Sequence, residues 1–379
     1  MAFPDKPIAH LLGSSGPVHA LAYSASPGTY ILAGSSDRSI RLYNPAPSNN
    51  NNNVSSHVPP ASSHLSRKPG TTVVGEGRLI QTYSAHGYEV LSLSVARDNA
   101  RFASAGGDRA VFLWDVATAQ TLRRFSGQGQ HGHGINSGHT ARVNCVCFAG
   151  DGDGLVVSGG LDASVRIWDS RSGNPKPVQV LTEAKDAVTA LAAPSGGGGG
   201  NGGAEIVAGS VDGRVRTYDV RAARCVTDVV GPSVTSLALT RDAKAMLVSG
   251  LDSKLRLMDR ETGGCLKTYA DPGWTNENIR VQSILGGKEQ YVLTGDELPP
   301  GQNAEGRVWA WDLVTGELKA TIRVPWGPPG LEPKKIIGKD GKEKERTNVI
   351  SCLAWREGGF GDQFCVSGTS GVVTVYGYN

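Results

Sequence analysis

The sequence is poor in aromatic residues and lacks any long apolar run. Aromatic residues make up 6% of the 379 residues, whereas glycine alone occurs 51 times. This balance favours many turns over long helices. No run of 18 apolar residues exists, so we expect no membrane-spanning segment. The amino terminus also lacks the apolar stretch of a secretory signal. We therefore expect no membrane contact and a cytoplasmic location, a nuclear location, or both.

Neither sign of charge dominates, and the cysteines form no metal-binding pattern. The chain has 38 basic and 35 acidic residues, which leaves a formal net charge of +3. Direct nucleic-acid contact is therefore not expected to dominate its interactions. No cysteine belongs to a CxxC pair, and we predict reduced thiols that act as small core residues. The six are Cys145, Cys147, Cys225, Cys265, Cys352 and Cys365.

One stretch, Gly138–Asp169, contains the clearest structural unit. It opens on Gly-His, continues with the strand-like runs Arg142–Phe148 and Leu155–Gly160, and closes on Val165–Asp169, which ends in Trp-Asp. Two β-type runs around a short turn that contains an aspartate indicate a hairpin. A Gly-His opening and a Trp-Asp close are typical of a WD40 unit, which is one blade of a β-propeller.

The unit recurs in seven copies along the chain. Each copy ends in an apolar strand, and five copies carry an aspartate six residues before the end of that strand. The aspartates are Asp37, Asp108, Asp162, Asp212 and Asp252. Glu305 occupies this place in the sixth copy and Ser370 in the seventh. Seven copies predict an all-β fold, a single seven-bladed WD40 propeller that spans residues 1–379.

Five insertions interrupt the repeats. Without them each repeat has about 42 residues, which agrees with WD40 units. The insertion at 46–78, between the third and fourth strands of blade one, is rich in Asn, Ser and Pro, and we predict that it is disordered. The insertions are 46–78, 126–137, 194–204, 297–304 and 324–346.

The last repeat lacks a fourth strand of its own. It ends shortly after Val373–Tyr376, whereas Ile8–Leu12 precedes the first repeat and has no partner there. We predict that this N-terminal strand completes the last blade, because the pairing removes two exposed strand edges at once.

Two copies share a His, a Ser, an Asp and a Trp at matched spacing. The pattern resembles the hydrogen-bonded tetrad of WD40 blades, in which the aspartate accepts from the histidine. Each carboxylate lies in a different blade, so no two form a catalytic pair. The two predicted structural tetrads are His86, Ser104, Asp108 and Trp114, and His139, Ser158, Asp162 and Trp168.

Four of the copies carry an arginine at the same position of the strand that ends the copy, and two interpretations of these arginines are open. They could form a ring that collects an acidic ligand. Alternatively, each stem packs between blades while its head reaches water or a local carboxylate. The four are Arg41, Arg166, Arg216 and Arg256.

The insertion at 324–346 is the candidate partner-binding segment. It combines apolar and basic residues that a protein partner could contact, although a solvated charged loop is the alternative. The candidate binding residues are Trp326, Lys334, Lys335, Ile336 and Ile337. The sequence shows no catalytic constellation, so we expect no enzyme activity, no cofactor and no small-molecule substrate. His131, His133 and His139 lack a fourth ligand at suitable spacing, so we expect no metal site.

Three stretches narrow the resemblance further. His86–Leu91, Ala208–Arg216 and Leu251–Asp259 are similar to the mitogen-activated protein kinase organiser family, a set of seven-bladed WD-repeat scaffolds. The resemblance covers all seven repeats and excludes the insertions. It implies a non-enzymatic scaffold whose partners are proteins. These are components of the extracellular-signal-regulated kinase cascade or, since family members are also assigned to the spliceosome, splicing factors. No family binding residue carries over to this chain.

Overall fold

In a computed structural model of the chain, the regular structure is almost entirely β-strand. Among the described residues it comprises thirty strands, numbered in chain order, and one 3-10 turn at Asp151–Asp153. The segments described by the structure contain no helix that is long and apolar enough to cross a membrane. The described residues are 3–47, 74–126, 138–194, 205–297, 305–331, 333, 335–337, 343–358 and 361–378.

Most strands form antiparallel sheets of four, the blades, each running from an inner first strand to an outer fourth strand. Blade one contains β2 (Val18–Tyr23), β3 (Ile31–Ser35), β4 (Ser39–Pro47) and β5 (Gly75–Ser84). Blade two contains β6 (Val90–Val95), β7 (Arg101–Gly106), β8 (Val111–Asp115) and β9 (Thr121–Phe125). Blade three contains β10 (Val143–Ala149), β11 (Leu155–Gly160), β12 (Val165–Asp169) and β13 (Gln179–Leu181).

The following three blades repeat this order. Blade four contains β14 (Val188–Ala192), β15 (Glu205–Ser210), β16 (Arg214–Asp219) and β17 (Arg224–Val229). Blade five contains β18 (Val234–Leu239), β19 (Ala245–Gly250), β20 (Lys254–Asp259) and β21 (Cys265–Tyr269). Blade six contains β22 (Ser283–Gly286), β23 (Tyr291–Gly295), β24 (Gly306–Asp312) and β25 (Leu318–Val324).

The last blade combines both ends of the described chain. It contains β28 (Ile350–Trp355), β29 (Gln363–Gly368), β30 (Val373–Gly377) and β1 (Lys6–Leu11). Strand β1 pairs antiparallel with β30, with Leu11 opposite Val373. It also pairs parallel with β5 of blade one, where Ala9 lies opposite Gly75. Blades one and seven are therefore one eight-stranded sheet. The predicted fold class, an all-β propeller with an N-terminal strand in its last blade, is confirmed.

The first strands surround a central channel. Those of successive blades contact one another in turn, and β28 contacts β2, so the ring is closed. A buried branched residue lies at or just before the start of each first strand, and every one of them is 0% exposed. These ring residues are Val18, Val90, Val143, Val188, Val234, Val281 and Ile350.

A β-bulge follows the ring residue in six of the blades, where the pairing of the first two strands slips by one residue. A bulge frees one residue from the ladder and re-aims its side chain. Two freed residues bond to the next blade. Asn144 Nδ2 donates to the carbonyl of Val188 at 2.9 Å, and Thr189 Oγ1 donates to that of Val234 at 2.5 Å. The bulges thus tie adjacent blades together next to the channel.

Aromatic residues at the ends of outer strands pack into the following blade. The Tyr83 ring meets the Phe102 ring edge-on with centroids 4.9 Å apart, and Phe125 stacks on Trp168 at 5.1 Å. Each of these four side chains is at most 2% exposed. Because aromatic side chains bury large apolar areas, such contacts hold neighbouring blades together.

The bounds of two insertions differ from the expected ones, because strands continue into 46–78 and 324–346. The ends of the 46–78 insertion continue β4 and β5, so Ala46, Pro47 and Gly75–Arg78 are strand residues rather than loop. The predicted disorder concerns 48–73, which lie outside the described residues, as do 127–137, 195–204 and 298–304. The 324–346 insertion contains an antiparallel hairpin of β26 (Lys335–Ile337) and β27 (Glu343–Glu345).

The prediction that all cysteines are core residues is wrong for two of them. All six are free thiols, and Cys145, Cys352 and Cys365 are buried. Cys225 in β17 and Cys265 in β21 are exposed. Both lie near the start of an outer strand, where one strand edge has no neighbour within its blade.

Candidate partner-binding face

The loops between blades and the turns between second and third strands lie on one face of an antiparallel four-stranded propeller. We call it the upper face. Its turns carry Asp37, Asp108, Asp162, Asp212 and Asp252. The predicted tetrads and the four arginines lie just below this face, so their geometry shows what holds its turns and loops in place.

In blade two the four predicted residues form a continuous hydrogen-bonded chain. His86 Nδ1 lies 2.8 Å from Asp108 Oδ2, and His86 Nε2 lies 2.7 Å from Ser104 Oγ. Trp114 Nε1 donates to the same serine oxygen at 2.8 Å. An Nδ1–H tautomer of His86 satisfies every member, since the serine hydroxyl then donates to Nε2. Burial would raise the pKa of Asp108, but the hydrogen bond and charge of His86 and the backbone N–H groups of Gly87 and Ala110 together outweigh burial and lower that pKa.

Blade three repeats the arrangement. His139 Nδ1 lies 2.9 Å from Asp162 Oδ1, and His139 Nε2 lies 2.9 Å from Ser158 Oγ. Trp168 Nε1 donates to Ser158 Oγ at 2.8 Å. Burial opposes ionisation of Asp162, yet the bonds from His139 and neighbouring groups hold its pKa well below the usual range. In both blades the tetrad links the inter-blade loop to the turn above it and fixes the backbone of the upper face.

Blades one, four and five satisfy the same aspartate with an arginine instead. Arg41 Nη2 lies 2.9 Å from Asp37 Oδ2, and Arg216 Nη2 lies 2.6 Å from Asp212 Oδ2. The corresponding pair in blade five, Arg256 with Asp252, is separated by 2.5 Å. In blade three Arg166 Nη2 also lies 3.7 Å from Asp162 Oδ2, beside the tetrad. These distances match the second interpretation of the arginines, whose heads reach a local carboxylate.

In blade six the carboxylate assigned from the sequence is wrong, because Asp296 rather than Glu305 pairs with an arginine. Glu305 is exposed, whereas Asp296 is 0% exposed and lies 2.7 Å from Arg307 Nη2. Trp309 Nε1 donates to Asp296 Oδ2 at 3.0 Å. Asp296 follows β23 directly, and the insertion that comes after it displaces the expected spacing. In blade seven Asn348 Oδ1 accepts from the backbone N–H of Ser370 at 3.3 Å.

The candidate binding residues occupy the segment between blades six and seven. Trp326 follows β25 and is half-buried. Lys335, Ile336 and Ile337 form β26, whereas Lys334 lies outside the described residues. The segment starts after an outer strand and ends before an inner strand, so it emerges on the upper face. A partner there would meet a hairpin rather than the open loop considered from the sequence.

The channel opens on the same face and contributes residues that the sequence did not single out. A cavity of about 390 Å³ lies among the first strands of all seven blades. Arg142 and Arg280 line it together with His19 and Asn144. Both arginines directly precede a ring residue, and that shared position is the signal that could have identified them.

The described residues include no group of three or more His, Cys, Asp or Glu side chains that could hold a metal ion. His131 and His133 lie outside the described residues. His139, the third histidine of the possible metal set, is engaged at both ring nitrogens by Asp162 and Ser158.

The fold and its tetrads define a WD40 β-propeller protein, and a family model described as "WD domain, G-beta repeat" matches residues 5–44, 77–115 and 132–169. WD repeat domain-containing protein 83 of Rattus norvegicus is 35% identical over 321 residues, which cover 85% of this chain and 83% of the relative. The Homo sapiens protein is 35% identical over 324 residues, covering 86% and 84%. The Dictyostelium discoideum homolog is 27% identical over 332 residues, covering 82% and 86%. The chain belongs to the family of WD repeat domain-containing protein 83.

Proposed function

We propose that the chain is a non-enzymatic scaffold that assembles multiprotein complexes through its upper face. The single observation that carries this proposal is the closed ring of seven blades, whose upper loops are fixed from below by tetrads and ion pairs. A rigid ring with variable loops is a common platform for protein recognition. A non-enzymatic role is supported by the turn carboxylates, since His86, His139, Arg41, Arg216 and Arg256 engage them structurally.

The first candidate partners are components of the mitogen-activated protein kinase cascade. This part of the proposal rests on the resemblance of the repeats to the kinase organisers and on membership of the protein 83 family. The same resemblance supports a second candidate, a role in the pre-mRNA splicing machinery. The first predicts cytoplasmic complexes and the second predicts nuclear ones, so cell fractionation separates them.

The test is a crosslinked affinity purification from nuclear and cytoplasmic fractions, read by mass spectrometry. Kinase-cascade proteins in the cytoplasmic fraction are the expected result. Splicing factors in the nuclear fraction would favour the second candidate instead. A chain that recovers no protein above an untagged control from either fraction would contradict the scaffold itself.

A loop variant tests the candidate binding segment. Replacing 332–345 by a short Gly-Ser linker removes the β26–β27 hairpin and leaves Trp326 in place. We expect lower partner recovery from this variant. The matched control replaces 48–73, which connect β4 to β5 on the opposite face, by a similar linker. Equal partner recovery from both variants would show that the 324–346 segment does not bind the partners. The proposal would then rest on the other loops of the upper face.

A further inference from the structure

The channel mouth carries two arginines that form no ion pair within the described residues. Arg142 and Arg280 precede ring residues Val143 and Val281, on the end of the channel that opens to the upper face. Neither arginine forms an ion pair with a carboxylate of the described residues. This separates them from the arginines of blades one, four and five, each of which has an aspartate of its own.

Arg280 is held across the channel by main-chain carbonyls. Its Nη1 donates to the carbonyl of Asn144 in blade three at 2.9 Å, and its Nε donates to that of Thr235 in blade five at 3.2 Å. A side chain of blade six therefore bridges two other blades. A guanidinium has five N–H donors, so further donors remain for a ligand. The two carbonyl bonds fix the orientation of those donors before a ligand arrives.

The surroundings of Arg280 are confined yet open to water. Arg280 is exposed, although it lines the cavity that lies among the first strands. This confinement lowers the pKa of Arg280, and Arg142 acts in the same direction. For Arg256, by contrast, the hydrogen bond to Asp252 raises the pKa of the guanidinium. Arg142 and Arg280 thus lack the bonded carboxylate that the arginines of blades one, four and five have.

The balance of charge points to a weakly charged ligand. Glu89 occupies the corresponding position before ring residue Val90, and its negative charge acts on His19 in opposition to the positive charge of Arg280. Burial lowers the pKa of His19, and Arg280 adds to that effect while Glu89 opposes it, so the imidazole adds little charge at neutral pH. A mouth with so small an excess does not suit a nucleic acid, whose binding depends on many phosphate contacts. A cavity of about 390 Å³ accommodates side chains rather than a folded domain.

We propose that Arg142 and Arg280 form a carboxylate-binding site in which an extended segment of a partner protein inserts an aspartate or glutamate side chain into the channel mouth. The planar fork of a guanidinium fits a carboxylate in two-point contact. This proposal deepens the scaffold function, on which it rests, by assigning a chemical preference to the centre of the upper face.

The test uses the purified full chain and two synthetic peptides. The probe is fluorescein-Gly-Ser-Glu-Ser-Glu-Ser-Gly-amide, and the control peptide carries glutamine at both glutamate positions. Fluorescence polarisation at low salt should show saturable binding of the glutamate peptide and a much weaker response to the glutamine peptide. Equal responses to both peptides, or no saturable response to the glutamate peptide, would overturn the proposal.

Variants locate the binding site on the protein. Arg142→Ala should weaken glutamate-peptide binding about tenfold, the loss expected for one charge-assisted hydrogen bond. Arg142 makes no ion pair within the described part of the protein, so this variant should keep the fold, which its thermal unfolding midpoint checks. Arg224→Ala removes an exposed arginine from outer strand β17 and is the charge-matched control. Equal weakening by both variants would mean that the peptide senses net charge alone, and would refute the site.

A second variant protects the test against misfolding. Arg280→Lys keeps a positive charge in the channel but removes the guanidinium fork, so binding should weaken. The loss of a carbonyl hydrogen bond should lower the unfolding midpoint only slightly. Undiminished binding by this variant would remove Arg280 from the site. The peptide assay uses purified protein and tests only the carboxylate-binding site. The scaffold function is tested separately, by partner recovery from cell fractions, so failure of one test does not decide the other.

Discussion

Blades two and three satisfy their turn aspartate with a histidine, whereas blades one, four and five use an arginine from the neighbouring strand. In the first group the histidine and aspartate side chains are at most 9% exposed, and a serine and a tryptophan extend the network into the core. In the second group, exposure ranges from nearly complete burial of Arg216 with Asp212 to 28% for Asp252. One turn position therefore admits two solutions, which differ in the residue that pairs with the aspartate and, in blades one and five, also in burial.

The comparison shows what the repeat requires. In blades one to four the aspartate also accepts a backbone N–H from the preceding inter-blade loop, from Ser15, Gly87, Thr140 and Lys185. The constant feature is thus a carboxylate that joins loop and turn, while the partner that neutralises it varies. Buried networks of this kind stabilise only when every member is satisfied.

The largest expected effect follows from removing a tetrad aspartate. Asp162→Ala leaves His139, the Thr140 N–H and the Ser164 hydroxyl without their acceptor. We expect the free energy of unfolding to fall by about 3 kcal/mol, because several buried donors lose their partner together. The matched change Asp252→Ala should cost about 1 kcal/mol or less, since that pair is more exposed. Urea unfolding followed by circular dichroism measures both, and equal losses would erase the distinction between the two blade types.

Within the arginine blades, the free energy of unfolding lost when the arginine is removed should depend on how deeply the ion pair is buried. Arg216→Met keeps an apolar stem but leaves buried Asp212 without its cation, for an expected loss of about 2 kcal/mol. Arg256→Met in the more exposed blade five should cost less than about 1 kcal/mol.

A double variant checks the physical reason. Adding Asp212→Asn to Arg216→Met should recover part of the stability, since no charge then remains buried alone. If the double variant is less stable than Arg216→Met, an unpaired carboxylate does not explain the loss.

A smaller effect should come from the indole at the end of the tetrad. Trp168→Phe keeps an aromatic ring in the core but removes the donor to Ser158 Oγ, at a cost of about 1 kcal/mol. In blade one Tyr43 occupies the equivalent place, and its hydroxyl donates to the carbonyl of Leu12 at 2.8 Å. Tyr43→Phe should cost about 0.5 kcal/mol, because that carbonyl is only partly buried and water can replace the donor. A thermal unfolding midpoint that drops further for Tyr43→Phe would reverse the ranking.

The stability that an arginine blade gains from its aspartate should depend on pH, because the aspartate pairs with the arginine in its ionised form. Burial would raise the pKa of Asp212, but its hydrogen bonds to Arg216 and Ser210 lower it to about 2. The folded-state pKa lies below the unfolded value of about 3.9, so ionised Asp212 stabilises the fold above pH 4, and this contribution is lost as the pH falls towards 2. Asp212→Asn should therefore be less stable than the wild type near neutrality, by about 1 kcal/mol or less. Unfolding midpoints measured from pH 6 to pH 2 should converge, and a gap that stays constant would contradict the assignment.

The sequence was sufficient to identify structural features wherever residue types recur at fixed spacing. His86 and His139 stand at the same distance from their ring residues, and each is followed by a serine, an aspartate and a tryptophan at nearly matched steps. Closure by β1 was equally predictable, because a blade without a fourth strand and a strand without a blade complement each other.

The rest depends on contacts between residues far apart in the chain. Asp296 was missed because the insertion after it breaks the spacing, and exposed Glu305 took its place in the alignment of repeats. Arg280 meets Asn144 only because blades three and six face the same channel. Cys225 and Cys265 were expected in the core because neither belongs to a CxxC pair, but their places in outer strands leave them exposed.

The eight-stranded sheet has a consequence for how the chain assembles during synthesis. Strand β1 leaves the ribosome before the other described strands, yet its antiparallel partner β30 follows all of them. Until then β1 can rest against β5, which is made early and pairs with it in parallel. We therefore expect the nascent chain to hold β1 beside blade one until β29 and β30 are available to pair with it. Contacts of such long sequence separation are slow to form from an unfolded chain, and an early docking site shortens that search.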